Sequence, residues 1–382
     1  MRVRTRQRWL DTTARLAVAA FLVAVGSTNK ATQAATSLAT SLATPPTTTP
    51  APTVAAGPVV PQPTSVPPAA RAWTVAFGGD SLLTRRIGPS ANPFARIRPS
   101  LSEADLSIVN VETVISTRGR AEDKEFTFRS IERFPALLAA AGVDVGSLAN
   151  NHARDFGPDA LLDTIDALRT AGVEPIGAGA DIAAAFQPAE FVVAGQRVAI
   201  LGASQIIPPG AWPATAQRPG IASAGKHTID ENSENLARAV RAARSSHDVV
   251  LVVMHWGIEG DPCPSEPQRE LGRMLRAAGA TAVLGAHPHV LQPVAVDDTN
   301  GHGLIAYSLG NFIWDPRSGA TADTAELVLQ FNGSLLVGHA VHPHVLDRNG
   351  WAAAVDPASP VGARVMARAS RRCPGAIGSV RS

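Results

Sequence analysis

Only two cysteines and one tyrosine occur among the 382 residues. Two thiols are too few for a tetrahedral thiolate zinc site. The eighteen aromatic residues (11 Phe, 6 Trp, 1 Tyr) form no cluster suited to stacking nucleobases, which leaves a general secreted nucleotidase or phosphodiesterase unsupported. No Gly-x-Ser-x-Gly elbow, phosphate-binding Walker loop or dinucleotide glycine fingerprint stands in a strand–turn–helix setting. Charge of either sign is absent from Ala31–Ala70. The basic excess comes from residues 1–35, which hold six Lys/Arg and one Asp; the remainder carries 28 basic against 31 acidic side chains. That balance gives no electrostatic case for binding nucleic acid.

One apolar run stands out near the start, Leu16–Val25, behind Arg2, Arg4, Arg6, Arg8 and Arg15. It has the length of a signal-peptide apolar region and falls short of an ordinary membrane span. Ala24 and Gly26 supply the small residues a signal peptidase prefers. Residues 1–26 therefore read as a signal peptide or membrane anchor, and the chain as extracytoplasmic. Residues 27–72 follow as an Ala/Thr/Pro-rich linker, with the repeat Thr-Ser-Leu-Ala at 36–39 and 40–43 and nine prolines between Pro45 and Pro68. Such a stretch buries too little apolar surface to offset its ordering entropy. Its prolines favour an extended spacer. In an exported chain, Cys263 and Cys373 are candidates for a disulfide that pins a polar C-terminal tail (347–382) near a loop of the domain.

Residues 73–346 alternate strand-like and helix-like runs. Helical spacing covers Ser130–Ala141, Pro158–Ala171, Ser233–Arg244 and Pro267–Ala278. The second opens on proline and stops at Gly172, the usual helix asymmetry. Strand runs stand at Trp73–Phe77, Leu106–Val109, Val143–Leu148, Phe191–Val193, Val198–Leu201, Val249–Met254, Ala282–Leu284 and Leu304–Ala306. This alternation predicts an α/β domain with a largely parallel sheet. Val290–Val296, Ala325–Phe331 and Leu335–Val341 then follow strand upon strand, which predicts antiparallel additions and a mixed sheet or two stacked sheets. After Asp347 no element is predicted.

Five short segments end in residues able to hold a metal: Gly79-Asp80, Asn110-Val111-Glu112, Asn150-Asn151-His152, His255-Trp256-Gly257 and Gly285-Ala286-His287-Pro288-His289. Four follow apolar strand runs; the run before Asn150 is broken by Asp144 and Gly146. Open α/β sheets bind ligands at the carboxyl ends of their strands. Carboxylates, an Asn carbonyl and imidazoles gathered there suit a divalent cation such as Mn, Zn, Fe or Mg. In extended backbone, His287 and His289 would point to one side. His152 beside Asn151 can stay unligated and give a proton to a leaving group. Trp256 reads as packing. Arg129, near Phe126 and Phe128, is a candidate contact for an anionic substrate. His342-Pro343-His344-Val345 repeats His287–Val290 letter for letter, but without the glycine-rich strand–loop context it reads as a surface strand end. His227, His247 and His302 read as surface residues.

Taken together, Phe77-Gly78-Gly79-Asp80, Ala104–Thr113, Ser147–Gly157, Met254–Glu259, Gly285–Gln292 and Tyr307–Phe312 resemble, in order, the bacterial CapA family of capsule and poly-γ-glutamate synthesis. That family is in turn similar to calcineurin-like metallophosphoesterases. The resemblance implies a four-layer αββα sandwich with mixed sheets and a centre of two divalent ions (Mn, Zn or Fe). Asp80 and His289 would hold one ion, Asn151, His255 and His287 the other, and Glu112 both, with His152 as the unligated acid. Leu82 stands where metallophosphoesterases carry a histidine, and Glu112 where they carry an aspartate. The implied function is making or tethering an anionic polymer at the cell surface, in company with membrane polymer-synthesis machinery or a cell-wall polymer. The alternatives are a non-catalytic polymer-binding partner of a membrane synthase, or a general secreted phosphoesterase. Membrane contact would come only through the N-terminal segment.

Overall fold

The computed structural model of the chain describes residues 71–84, 91–97, 100–210, 212–297 and 302–375. The expected targeting segment and nearly all of the linker lie outside these residues. No described helix is long and apolar enough to cross a membrane.

The chain folds as a mixed α/β unit whose strands form two large mixed sheets. In the first, β1 (Ala72–Ser81), β2 (Leu106–Val111), β3 (Val145–Ser147) and β4 (Glu174–Ile176) run parallel. Antiparallel strands β14 (Asp323–Asn332), β15 (Leu335–Leu346) and β16 (Ala352–Ala354) extend it beyond β1, and short β13 (Asn311–Ile313) lies parallel to the end of β1. In the second sheet β7 (Gln196–Ser204), β9 (Val249–His255), β10 (Ala282–Ala286) and β12 (Gly303–Ala306) are parallel. Antiparallel β6 (Ala189–Val193) and β11 (Val294–Asp297) close its two edges. A small pair, β5 (Ala178–Gly179) with β8 (Gly220–Ile221), stands apart.

Burial explains why these runs are apolar. Every residue of β9 is buried, as expected for a parallel strand covered on both faces. One core joins the two sheets: Phe77, Ile108 and Val145 from the first pack with Ile200, Leu251 and Leu284 from the second. On the other face of the first sheet, Val109 and Val111 meet Phe134 and Leu138 of α2 (Phe134–Ala140) and Leu161, Ile165 and Leu168 of α3 (Pro158–Ala171). On the other face of the second sheet, Leu201, Val250 and Val252 meet Leu236 and Val240 of α5 (Glu231–Ser246) and Leu271 and Leu275 of α6 (Glu266–Ala277). Two single-turn helices, α1 (Ser100–Glu103) and α4 (Ile182–Ala185), complete the series up to Leu346.

Helix α3 keeps the limits its proline and glycine predict, with Gly172 in the left-handed region at φ 87°. The helix expected from Ser130 begins only at Phe134. Ser130 is drawn instead into tertiary bonds, its N–H donating to Val114 O at 2.8 Å and its hydroxyl to Leu83 O at 2.7 Å. The strand expected over Val290–Val296 is cut to Val294–Asp297, because Val290 and Gln292 are bonded to Ser308. The segment after Asp347, expected to lack structure, holds β16 and α7 (Pro360–Ala369). Helix α7 seats Val365 against Leu291 and Ala325, and Cys373 is disulfide-bonded to Cys263. So short a helix owes its order to docking rather than to propensity.

Candidate metal centre

The parallel strands of both sheets deliver their carboxyl ends to one place. Asp80 lies near the end of β1, Glu112 just past β2, His255 at the end of β9, and His287 and His289 just past β10; Asn151 and His152 follow β3 by a short loop. Gly79 lets β1 approach the Gly310 backbone so closely that no Cβ fits, and there Asp80 N donates to Gly310 O at 3.0 Å.

The carboxylates and imidazoles converge largely out of reach of solvent, with His289 partly exposed. Asp80, Glu112, His255 and His287 are all buried. Asp80 Oδ2 accepts from His287 N at 3.1 Å and lies 3.2 Å from His289 Nδ1. Asn151 Oδ1 lies 2.7 Å from His255 Nε2. Glu112 Oε1 accepts no hydrogen bond, although His255 Nε2 stands 3.4 Å away and His289 Nε2 3.9 Å. His287 Nδ1 is likewise buried with no hydrogen-bond partner. Buried polar atoms without partners are costly. Two of them on neighbouring members of one cluster of hard oxygen and imidazole donors suit a divalent cation.

Two sets of three ligand atoms lie within 4.8 Å of one another: Asp80, Glu112 and His255, and Glu112, His287 and His289. Glu112 belongs to both. These sets cut across the pairing implied by the resemblance, which groups His289 with Asp80 and His255 with His287. Leu82, at the position of the missing histidine, is buried in the core beneath the first sheet and offers no ligand.

Electrostatics point the same way. Burial, and then the neighbouring charge of Asp80, holds the Glu112 carboxyl well above its usual range. Burial first, and the other histidines second, hold His255 and His287 well below theirs. Neutral imidazoles are ready to ligate, and a carboxylate this ill-placed without a cation gains most from one.

His152 is held apart from the ligand sets. Its Nδ1 lies 2.7 Å from Oδ2 of buried Asp155, and its ring stacks on Phe128 with centroids 4.2 Å apart. Burial, against the pull of Asp155, holds its pKa below the usual histidine range. Lys124 Nζ donates to Asp155 Oδ1 at 2.7 Å and to Asn151 O at 2.6 Å.

His287 and His289 do not reach the centre by extended backbone. Both have positive φ, 100° and 55°, a left-handed conformation that costs a non-glycine residue about 1–3 kcal/mol and clusters at functional sites. The Arg129 guanidinium donates to Arg118 O at 2.8 Å and lies 3.8 Å from the Phe156 ring centroid, fastening the loop. Trp256 packs, as expected, with Nε1 donating to Tyr307 O at 2.9 Å. The second His-Pro-His is no surface strand end. It sits within β15, where His344 is fully buried near the Phe312 ring. His227 is exposed, yet its charge acts on His287.

Sequence reasoning passed over Asn110 as a ligand-positioning residue. Its Nδ2 donates to Asp80 Oδ1 at 2.8 Å and Glu112 Oε2 at 3.3 Å, and its Oδ1 accepts from Asn150 Nδ2 at 3.1 Å. The available signal was a polar residue in a buried strand two positions before Glu112, hence on the same face. Asp155 and Lys124 were also missed as partners of His152.

Known proteins are similar to this chain. The sequence model of the family described as bacterial capsule synthesis protein PGA_cap matches residues 74–316. The chain is 31% identical over 276 residues to the capsule biosynthesis protein CapA of Bacillus anthracis, covering 69% of this chain and 66% of that protein. It is 31% identical over 261 residues to the PGA biosynthesis protein CapA of Bacillus subtilis (strain 168), covering 66% of each. A probable polyglutamine synthesis accessory protein of Mycobacterium tuberculosis is 32% identical over 196 residues, covering 50% of this chain and 52% of that one. The chain thus spans just under two thirds of the length of the Bacillus relatives and about half of the mycobacterial one. With its ligand-bearing segments all inside the matched region, the chain belongs to the bacterial capsule synthesis PGA_cap family.

Proposed function

We propose that this chain is an exported, metal-dependent protein that acts in the synthesis or surface tethering of an anionic polymer of the poly-γ-glutamate or capsule type, by hydrolysis or transfer at a two-ion centre. The observation that carries the reading is Glu112: buried, shared by both ligand sets, and with Oε1 accepting no hydrogen bond. The names of the Bacillus relatives support the polymer. The two sheets with helices packed on their other faces support reading the fold as a four-layer αββα sandwich of the metallophosphoesterase type.

Asp80, Glu112, Asn151, His255, His287 and His289 would hold the ions. Bound there, divalent ions would supply a nucleophile ionised near neutral pH and positive charge against developing negative charge. The protein's own contribution is positional. Asn110 fixes both carboxylates. Asp155 Oδ2, at 2.7 Å, accepts a hydrogen bond from His152 Nδ1–H and so supports the imidazolium, whose Nε2–H would hand a proton to a leaving oxygen or nitrogen. Lys124 neutralises Asp155 and fixes the Asn151 backbone.

A second reading, a non-catalytic accessory that holds polymer beside a synthase, has two observations in its favour: the name of the mycobacterial relative, and Leu82 in place of a ligand histidine. Turnover separates the two. The metal-loaded chain is assayed on γ-linked glutamate polymer and on a phosphodiester, beside a His152→Ala variant. An enzyme loses about 10²–10⁴-fold in rate in that variant with its metal content unchanged. Full metal occupancy without turnover on either substrate, with His152→Ala still supporting polymer production in cells, would sink the catalytic reading.

A further inference from the structure

The stretch Tyr307–Phe312 holds none of the candidate ligands, yet it is fastened to two of the segments that do. Gly310 O accepts from Asp80 N at 3.0 Å, and Asn311 stands opposite Asp80 in the parallel pairing of β13 with β1. Ser308 Oγ donates to Val290 O at 2.8 Å, just past His289. Asn311 reaches a ligand itself. It is fully buried, and its Oδ1 lies 2.9 Å from His289 Nδ1. Which end of the amide faces the ring follows from the other end. Its Nδ2 lies 3.0 Å from Thr321 O and 3.4 Å from His289 O, and carbonyls only accept. Turning the amide over would set its oxygen against two carbonyl oxygens, a costly arrangement in a buried place. Oδ1 is therefore the acceptor, and the hydrogen sits on His289 Nδ1.

The other neighbour of that nitrogen, Asp80 Oδ2 at 3.2 Å, is an acceptor too. Buried Trp314 packs on the His289 ring with centroids 4.6 Å apart and helps to hold its orientation. An imidazole with its hydrogen on Nδ1 keeps its lone pair on Nε2, and His289 Nε2 stands 3.9 Å from Glu112 Oε1. We propose that Asn311 is a positioning residue that keeps the hydrogen of His289 on Nδ1 and so makes Nε2 the metal-ligating atom, which puts His289 with Glu112 and His287 rather than on an ion held with Asp80 through Nδ1. The assignment rests on the metal-centre reading above. An acceptor on the far nitrogen of a ligating histidine fixes its tautomer and raises its basicity. An ion on Nδ1 would instead set Asn311 Oδ1 against a nitrogen with nothing to donate.

The test uses the full chain with isotope-labelled histidine ring nitrogens at about pH 8, where an unperturbed imidazole is neutral. Long-range proton–nitrogen correlation spectra read which ring nitrogen carries the hydrogen, and the His289 signals are those missing from His289→Gln. The metal-free parent is expected to carry the His289 hydrogen on Nδ1, and zinc to shift Nε2 while that hydrogen stays. Asn311→Leu is expected to bind zinc about 10–100-fold more weakly. Asn311→Asp, which keeps an oxygen toward Nδ1, keeps the hydrogen there and recovers most of the affinity. If Asn311→Leu does not fold, the parent spectra and Asn311→Asp decide. A His289 hydrogen on Nε2 in the parent, or unchanged zinc affinity in Asn311→Leu, overturns the assignment and leaves the metal centre standing. Zinc that shifts no histidine nitrogen of the parent overturns both.

Discussion

Replacing Glu112 by Gln separates a metal centre from a structural cluster, because it moves two observables in opposite directions. Glu112 contributes to both ligand sets, so Glu112→Gln takes the shared carboxylate charge from each. Even changes outside the ligand shell cost metal sites about 10–100-fold in affinity; loss of a shared ligand should cost ~100-fold or more, about 2.7 kcal/mol. Metal at 100 times its Kd stabilises the folded state by about 2.7 kcal/mol, a rise in Tm of about 5–10 °C for a domain of this size. The parent should gain that rise with manganese or zinc, and Glu112→Gln should gain almost none. Without metal the order reverses. The folded protein holds the Glu112 proton more tightly than the unfolded chain does, so the metal-free parent loses stability as pH rises from the ordinary glutamate pKa through the raised one. Gln cannot titrate and keeps the acceptor for Asn110, so the metal-free variant should match or exceed the parent, with a gap that widens as pH rises. The same proton must leave before metal binds, so the parent's metal-induced rise should be larger at pH 8 than at pH 5.5. Differential scanning fluorimetry over pH, with and without metal, reads all of this. A Glu112→Gln protein that keeps the parent's metal-induced rise would refute the reasoning.

Two further substitutions probe the supports. Asn110→Ala removes the donor to both carboxylates and the acceptor for Asn150; metal titration should give affinity about 10–100-fold weaker, and denaturant unfolding of the metal-free protein a loss of about 1–3 kcal/mol. Cys373→Ser opens a bridge between residues 110 apart in sequence; unfolding under non-reducing conditions should give a loss of about 2–4 kcal/mol, and reductant should erase the difference from the parent.

Much of the scaffold was legible because it depends on local pattern. Val249–Met254 reads as a strand with no polar residue, and β9 is buried along its whole length. Pro158 and Gly172 bound a helix whatever surrounds them, since one lacks the donor a helix interior needs and the other tolerates the left-handed cap. The meeting of five distant segments was also legible, because residues just past parallel strands face one crevice.

Other features have no local signature. His-Pro-His-Val occurs twice with one local propensity; one copy turns through positive φ into the ligand cluster, the other continues a strand and is buried beside Phe312. What differs is the partner strand and the neighbours. Helix α7 lies in an Ala/Arg/Pro-rich tail in which no element was predicted, and it is held by docking on β14 and β15. Asn110 and Lys124 acquire their roles largely from groups tens of residues away: Asp80 for one, Asn151 and Asp155 for the other. Composition and spacing alone determined most of the longer elements up to Leu346, their order and the strand ends that carry the candidate ligands, because backbone preference and burial period act over a few residues. Which groups stand with Glu112, which carboxylate holds His152 and which cations (Lys124 and Arg154) stand at Trp212 were decided only by the tertiary structure, because burial, hydrogen bonding and charge at these atoms are set by side chains that the chain brings together from far apart.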